Sequence, residues 1–246
     1  MLFYLGTHRV VHACHFDRAF ISVNRLRERV SPFSVNDWIL DSGAFTELAR
    51  FGSYKTSVED YATLINRWVW CGNLELAVTQ DYMCEPFMLQ KTGLTVEDHQ
   101  QLTIERYDEL RRLAAAEVMP VLQGYAPEDY VRHLKMYGKR LGRGQRVGVG
   151  SVCKRNRDPL TIARVLEGIK NERPDLRLHG FGVKTTALAN AYVCSLLYSA
   201  DSMAWSYAAR RQGGDRNGLS EALSFVNKVE QEMASKPHQL TLLETK

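Results

Sequence analysis

The sequence contains few cysteines, and no two of them lie close together. Its five cysteines are Cys14, Cys71, Cys84, Cys153 and Cys194, and the nearest pair is Cys71 and Cys84. An odd number of scattered cysteines does not suit a disulfide framework, and a structural zinc site needs closely spaced thiolates. We therefore expect reduced structural thiols and no metal site.

Long hydrophobic runs are also absent. Apolar residues make up 45% and charged residues 24% of the chain, and charges interrupt every apolar stretch. None approaches the roughly 18 uninterrupted apolar residues of a membrane span. Residues 1–8 show no basic segment followed by an apolar one, which a secretory signal requires. We expect no membrane segment and a cytoplasmic location.

Repeats and low-complexity linkers are missing too, so nothing divides the 246 residues into separate units. Instead, short β-like runs alternate with amphipathic helical stretches, which is typical of a parallel sheet built from βα units. There are eight such runs, at residues 2–5, 19–23, 38–40, 74–79, 119–122, 146–149, 176–179 and 200–204. Eight strands and this length predict an α/β fold, a (β/α)8 TIM-type barrel in a single domain.

The helical stretches begin with recognisable start signals. Ser57 and Thr95 each precede an acidic first turn, Pro127 fits a first helical turn, and Asp158 precedes a proline. A closing helix is expected over residues 217–235. The barrel domain is therefore predicted to span residues 1–235, with residues 236–246 as a flexible tail.

The excess of positive charge is small, with a formal net charge of +4. Such a balance is compatible with a polyanionic partner without requiring one. Two basic groups follow the sixth and eighth predicted strands, where a site is expected, although short basic runs also occur on ordinary solvated surfaces. The residues are Lys154, Arg155 and Arg157 in the first group and Arg210, Arg211 and Arg216 in the second.

Three aspartates lie where predicted strands end. Asp41 follows the third strand, Asp81 follows the fourth, and Asp201 lies in the eighth. The carboxyl ends of barrel strands form one face, so these side chains are expected to converge. Converging carboxylates suit chemistry at a glycosidic bond, in which one carboxylate attacks the anomeric carbon and another handles a proton. For Asp41 or Asp81 alone, capping of the following helix is an alternative interpretation, which the presence of all three aspartates at strand ends disfavours.

Taken in order, these residues resemble those of a known family, the tRNA-guanine transglycosylases. The similarity extends over about residues 2–218. The matching segments are residues 41–45 (DSGAF), Asp81, Gln123-Gly124, residues 148–150 (GVG), residues 178–182 (LHGFG), Asp201 and residues 215–218 (DRNG). The resemblance implies a TIM-type barrel that exchanges a guanine base in a nucleic acid.

The resemblance also implies a role for each matching residue. Asp201 would be the nucleophile on C1′ of the nucleotide, and Asp41 would be the general acid/base. Phe45 would stack on the base, with the His179 imidazole on its opposite face. The other base-binding residues implied are Asp81 and Gln123 at the guanine edge, and Gly124, Gly150 and Gly180 where the backbone approaches the ring.

The chain departs from the tRNA enzymes because it lacks their cysteine-rich zinc subdomain, which helps to hold tRNA. This compact sequence is more similar to the deazapurine DNA-modification guanine transglycosylases of phages and bacteria. That similarity implies exchange of guanine in DNA for a free 7-deazaguanine base, such as 7-cyano-7-deazaguanine, without a cofactor. The basic groups would then contact DNA phosphates in the cytoplasm, the host's cytoplasm if the chain is phage-encoded.

Two further functions stay open on this resemblance. The substrate could be tRNA, or the chain could be an inactive nucleic-acid-binding subunit of a modification complex, although both Asp41 and Asp201 are retained. A homodimer or a partner protein is compatible with either function. A departure at Val152-Cys153-Lys154-Arg155, where the tRNA enzymes place an acidic residue that helps to sense the incoming base, leaves the identity of that base open.

Three other interpretations come from the residues alone. The spacing of His8, His12, Cys14 and His15 is compatible with a metal ion, but an ordinary loop with hydrogen-bonding histidines is the better interpretation. Cys153 could be a nucleophile, but no histidine lies near it in sequence. A glycoside hydrolase is a further alternative, because barrels of that class also use two carboxylates. The residues that would bind a guanine argue against it.

Overall fold

The computed structural model describes residues 1–153 and 158–234. In these ranges, nine parallel β-strands form one sheet. The strands are β1 (Leu2–Gly6), β2 (Arg18–Ser22), β3 (Asp37–Asp41), β4 (Asn73–Val78), β5 (Val118–Met119), β6 (Val121–Leu122), β7 (Arg146–Val149), β8 (Arg177–Gly180) and β9 (Ser199–Ser202).

Helices connect most of the successive strands. They are α1 (Ala44–Phe51), α2 (Val58–Trp68), α3 (Pro86–Thr92), α4 (Val96–Leu113), α5 (Pro127–Tyr137), α6 (Pro159–Glu172), α7 (Thr185–Leu188), α8 (Ala191–Leu196), α9 (Ala204–Arg211) and α10 (Leu219–Ala234). Among the described residues, none of these helices combines the length and apolar character that crossing a membrane would need.

The sheet curves into a nearly closed barrel, with its strands in the order β5-β4-β3-β2-β1-β9-β8-β7-β6. Only Pro120 separates the two end strands, β5 and β6, along the chain. Proline has no backbone N–H to donate to a neighbouring strand, which accounts for the interruption. Its carbonyl still accepts a hydrogen bond from the Gly148 amide (N···O 2.9 Å), which joins this segment to β7. The predicted TIM-type barrel is confirmed, with β5 and β6 as two halves of its fifth strand.

The bounds of the last two predicted strands need correction. Strand β8 extends through Gly180, one residue beyond its predicted end. Strand β9 ends at Ser202, and Ala204, predicted to end the strand, begins α9. The Ser202 hydroxyl accepts a hydrogen bond from the Ala204 amide (3.2 Å), so this short polar side chain favours the turn into the helix. The predicted tail, residues 236–246, lies outside the described residues.

The predicted helix starts are confirmed at Ser57, Thr95, Pro127 and Asp158. Ser57 Oγ accepts from the amide of Asp60 at 3.0 Å. Thr95 and Asp98 form a reciprocal capping box, in which each side chain accepts from the other residue's amide. These contacts satisfy amides that the helix itself leaves without partners, which explains why the starts are legible in the sequence.

The amino-terminal half of the barrel interior is filled with side chains. At the amino-terminal end of the barrel, Arg146 Nη1 lies 2.9 Å from both the Tyr4 hydroxyl and Glu75 Oε2. These contacts close this end of the barrel, so that space for a ligand is left at the carboxyl ends of the strands. The buried cluster inside the ring comprises Tyr4, Ile39, Leu76, Val78, Met119 and Val121.

A buried carboxylate anchors α1, the helix that follows β3. Glu47 is buried, forms an ion pair with Arg27, and accepts hydrogen bonds from the amides of Lys55 (2.7 Å) and Thr56 (3.0 Å). Burial alone would raise the pKa of Glu47, but the hydrogen bonds from Thr56 and Lys55 and the Arg27 charge hold the pKa below its usual value. Glu47 thus joins α1 to the loops before β3 and before α2.

Replacing Glu47 by alanine should destabilise the fold, because it leaves Arg27 and two amides without their acceptor. We expect Glu47→Ala to lower the free energy of unfolding by about 3 kcal/mol, measured by urea unfolding at pH 7. Glu105→Ala, at an exposed position of α4, is the control and should change it by less than about 0.5 kcal/mol. Equal effects of the two substitutions would contradict the anchoring role.

Candidate active site

A cavity of about 440 Å³ opens at the carboxyl ends of the strands. The residues that line it come from the loops after several different strands, as is usual for binding sites in barrels of this kind. Of the predicted site residues, those lining the cavity are Asp41, Phe45, Asp81, Gln123, Gly150 and Asp201. The fold therefore brings together three aspartates that are far apart in the sequence.

Asp41 ends β3 and accepts a hydrogen bond from the Gly43 amide (3.2 Å). Burial raises the pKa of Asp41 to about 6, and the nearby Asp201 charge adds to the increase, while hydrogen bonds from Ser22 and Gly43 oppose it. A carboxyl group with such a pKa can both donate and accept a proton near neutral pH. Asp41 does not cap α1, because the N-cap residue is Gly43, in a left-handed conformation (φ 75°).

Asp81 and Gln123 form a buried pair in which Gln123 Nε2 donates to Asp81 Oδ2. Burial raises the pKa of Asp81 to about 7, the Gln123 hydrogen bond opposes the increase, and the charges of Asp41 and Glu85 add to it. Gly150 packs directly against this pair, since a Cβ there would lie 2.1 Å from Gln123 Nε2. A glycine at this position therefore leaves Gln123 in place beside Asp81.

Asp201 lies on β9 and is held by two groups from the neighbouring segment. Its Oδ1 accepts from the Gly182 amide at 3.0 Å and lies 3.4 Å from Nε2 of His179. The other ring nitrogen, Nδ1, lies 2.8 Å from the Ser199 hydroxyl. A neutral imidazole can therefore donate to Asp201 while it accepts from Ser199. These contacts fix the orientation of the carboxylate at the edge of the cavity.

His179 does not lie where the sequence analysis placed it. Its side chain is fully buried, stacks on Phe20 (ring centroids 5.7 Å apart, interplanar angle 16°) and packs edge-on against Phe181 (5.1 Å). His179 lies on the interior face of β8, next to Asp201, and is not among the residues that line the cavity. Phe20 and Phe181 line the cavity in its place.

Gly124 and Gly180, also predicted to contact the base, are not among the residues that line the cavity. A Cβ on Gly180 would lie 2.8 Å from Val183, and one on Gly124 would lie 2.6 Å from Cβ of Asp129. Both glycines therefore allow close packing between neighbouring segments of the chain.

Other aromatic and acidic residues, which were not predicted from the sequence, complete the cavity. The predicted residue Phe45 lies at the rim in the first turn of α1, where it is 51% exposed. Phe20 and Phe181 contribute apolar surface, and Glu85 contributes a fourth carboxyl group. The only sequence signal for Glu85 was its position four residues after Asp81, in the same loop. Phe20 carried no signal, because its inward orientation depends on the register of β2.

A second, arginine-rich cleft adjoins the cavity and shares His8 and Arg25 with it. Arg210 and Arg216, both predicted to bind nucleic acid, line this cleft, and Arg211 is exposed at the end of α9. Burial lowers the pKa of His8, and the charges of Arg25, Arg216 and Arg210 lower it further, which shows that positive charge is concentrated here. The remaining predicted residues, Lys154, Arg155 and Arg157, lie outside the described residues.

The histidine-rich segment after β1 forms part of this rim. His12 and His15 lie in a short 3-10 helix (Val10–His15), and His8 Nδ1 accepts from Arg25 Nη2 at 2.9 Å. In the part of the chain that the structure describes, no group of three or more His, Cys, Asp and Glu side chains is arranged to hold a metal ion.

The family described as DpdA, DeoxyPurine in DNA protein A, matches residues 1–238 of the chain. No curated protein matches the sequence. The family match includes the whole barrel and every cavity residue named above. It supports a transglycosylase-type role in DNA modification.

The raised pKa values of Asp41 and Asp81 predict how stability depends on pH. At these two carboxyl groups the folded chain binds protons more tightly than the unfolded chain between about pH 4 and pH 7, so their contribution to the free energy of unfolding should fall as pH rises through this window. Asp81→Asn removes one of the two carboxyl groups. We compare the free energy of unfolding of this variant with that of wild type at two pH values. The difference, variant minus wild type, should be about 2 kcal/mol more positive at pH 8 than at pH 5.

Urea unfolding of both proteins at the two pH values measures this difference. Asp60→Asn, at an exposed position in the first turn of α2, controls for the loss of one negative charge. The same stability difference between Asp81→Asn and wild type at pH 5 and at pH 8 would show that the Asp81 pKa is not raised.

Proposed function

We propose that this chain, which belongs to the DpdA family, exchanges guanine in DNA for a 7-deazaguanine derivative such as 7-cyano-7-deazaguanine. The observation that carries the proposal is the meeting of Asp41 and Asp201 at one cavity in the barrel. Their environments differ, because Asp201 is oriented by Gly182 and His179 while the pKa of Asp41 is raised to about 6. Two carboxyl groups in unlike environments suit two unlike tasks.

In the first step, a carboxylate oxygen of Asp201 attacks C1′ of the target nucleotide. The C1′–N9 bond breaks, its electron pair leaves with guanine, and Asp41 donates a proton to the departing base. The product is an ester between Asp201 and the deoxyribose, and Asp41 is left ionised. The two hydrogen bonds to Asp201 Oδ1 leave Oδ2 as the oxygen for attack.

In the second step, the incoming 7-deazaguanine takes the place of guanine. Asp41 accepts the proton from N9 of this base, N9 attacks C1′, and the bond between C1′ and Asp201 breaks. Both carboxyl groups then return to their original states, so the exchange needs no cofactor. Because its pKa lies near 6, Asp41 can act as acid in one step and as base in the next.

Asp81 and Gln123 are proposed to read the guanine edge. An ionised Asp81 can accept from N1–H and from the 2-amino group, and the Gln123 amide can bind O6 after a small shift. Adenine offers an unprotonated N1 at the same place, which would leave a buried carboxylate without a donor. Both side chains are buried and held by their mutual hydrogen bond, so little ordering is needed on binding.

Chemistry at C1′ in duplex DNA requires the nucleotide to leave the helix, which costs a few kcal/mol. Phe45 at the rim and Phe20 and Phe181 within the cavity supply aromatic surface that would offset part of this cost. The phosphates beside the flipped nucleotide are proposed to bind Arg210, Arg211 and Arg216, together with Lys154, Arg155 and Arg157. Arg210 and Arg216 line the cleft that adjoins the cavity, which supports this path for the DNA.

Trapping of the covalent intermediate tests the reaction. Incubation with guanine-containing DNA, followed by denaturation, should yield a protein–DNA adduct that Asp201→Asn abolishes. Asp41→Asn should slow base exchange by about 10²–10⁴-fold, because it removes the proton donor. Asp60→Asn serves as the control and should form the adduct normally. An adduct that survives Asp201→Asn would refute the assigned nucleophile, and an adduct with tRNA but not with DNA would refute the substrate.

The salt dependence of DNA binding tests the arginine cleft. The double variant Arg210→Gln/Arg216→Gln should reduce the slope of log K against log salt concentration by about two, since each phosphate contact contributes about 0.9. Fluorescence anisotropy with a labelled duplex, measured over a range of salt concentrations, gives this slope. Arg111→Gln/Arg112→Gln, an exposed pair in the last turn of α4, is the matched control. Equal slopes for all three proteins would contradict phosphate binding in the cleft.

A further inference from the structure

Glu85 is a buried carboxyl group at the cavity that the proposed reaction does not use. It lies in the loop between β4 and α3, is 3% exposed, and lines the same cavity as Asp41, Asp81 and Asp201. Carboxylates are seldom buried without partners, because removing the charge from water costs several kcal/mol. The surroundings of Glu85 therefore indicate what it binds.

Capping of a helix does not explain the position of Glu85. The residue is the N-cap of α3, where a side-chain carboxylate is expected to accept from amides of the first turn. The Glu85 side chain makes no such hydrogen bond. Its Oε2 lies instead 3.0 Å from the hydroxyl of Ser151, a residue of the loop after β7. The side chain is thus directed toward the loop after β7 and away from its own helix.

The oxygen atoms around Ser151 outnumber the protons available to them. Ser151 Oγ lies 3.0 Å from Glu85 Oε2 and 2.8 Å from Gln123 Oε1, and it accepts from the Cys84 amide. A hydroxyl has one proton, so it can donate to only one of these two oxygens at a time. The second oxygen of Glu85, Oε1, has no donor within residues 1–153 and 158–234. A ligand that supplies N–H groups would complete the set.

The backbone of Ser151 has a strained conformation. Ser151 is the only residue other than glycine with a positive φ in the described ranges (56°), and it is buried. Such a backbone conformation is uncommon for residues with a Cβ and often accompanies a functional constraint. The hydrogen bonds to Glu85, Gln123 and Cys84 offset this strain, which ties the geometry of the Ser151 loop to the Glu85 carboxylate.

The four side chains Asp81, Gln123, Ser151 and Glu85 form one row of hydrogen bonds along the cavity. The edge of a guanine likewise carries four positions in sequence, namely the 2-amino group, N1, O6 and position 7. In the proposed function, Asp81 and Gln123 bind the 2-amino group, N1 and O6 of the base. Glu85 then lies at the end of the row that is next to position 7. We propose that Glu85 accepts a hydrogen bond from an N–H group of the incoming base and so selects among 7-deazaguanines by their substituent.

This inference rests on the proposed function only for the identity of the ligand, so its test uses binding of free bases and not exchange. Titration calorimetry would compare wild type and Glu85→Gln with 7-aminomethyl-7-deazaguanine, which carries N–H donors, and 7-cyano-7-deazaguanine, whose nitrile only accepts. We expect Glu85→Gln to weaken binding of the aminomethyl base by about tenfold or more. Binding of the cyano base should stay unchanged or become tighter.

Guanine and hypoxanthine identify which N–H group Glu85 binds. If Glu85→Gln weakens guanine and both deazaguanines equally but leaves hypoxanthine unaffected, the 2-amino group is the donor, and selection by the substituent at position 7 is refuted. Equal changes for all four bases, or no change for any, would overturn the proposal. A wild-type protein that binds none of the four bases would overturn it as well.

Two controls separate recognition from folding and from the proposed reaction. Glu128→Gln, at an exposed acidic position in the first turn of α5, should bind all bases as wild type does. Thermal unfolding of Glu85→Gln and of the charge-retaining Glu85→Asp shows whether the fold survives each substitution. If the bases bind as expected but no adduct with DNA forms, the proposed reaction fails while the role of Glu85 stands.

Discussion

Parallel pairing of the strands is the constraint on which the site depends. Strand β1 pairs with β9 on one side and with β2 on the other, and β2 pairs with β3, so that Asp201 and Asp41 lie near the same rim. Since all strands run in one direction, the loops that follow them meet above a filled interior. Each acidic side chain is positioned by a short backbone segment, and the barrel determines the distances between the segments.

Crowding of carboxyl groups in a partly apolar cavity gives each of them a different environment. Asp201 receives hydrogen bonds from an amide and an imidazole, Asp41 receives weaker support, and Asp81 depends on Gln123. Burial and mutual repulsion raise the pKa values of Asp41 and Asp81 toward neutrality. The same crowding leaves an excess of acceptors, which suits a ligand rich in N–H groups such as a guanine.

The sequence by itself determined the features that depend on local physics. Alternating apolar runs predicted all eight strands of the barrel, and Ser57 and Thr95 marked helix starts because a side-chain oxygen caps amides within three residues. The positions of Asp41 and Asp81 were also legible, since Asp41 ends an apolar strand and Asp81 comes three residues after one, and the carboxyl ends of barrel strands form the rim. The order of these motifs along the chain was sufficient for the family resemblance, and the family is confirmed.

Only the tertiary structure decided which way the side chains face and which distant residues meet. The pairing of β8 with β9 places His179 next to Asp201 on the interior face, because successive side chains of a strand point to opposite faces. Glu85 and Ser151 are 66 positions apart, and their contact depends on neighbouring loops of a barrel that is interrupted at Pro120. No local pattern encodes such contacts, since they arise from the register and curvature of the whole sheet.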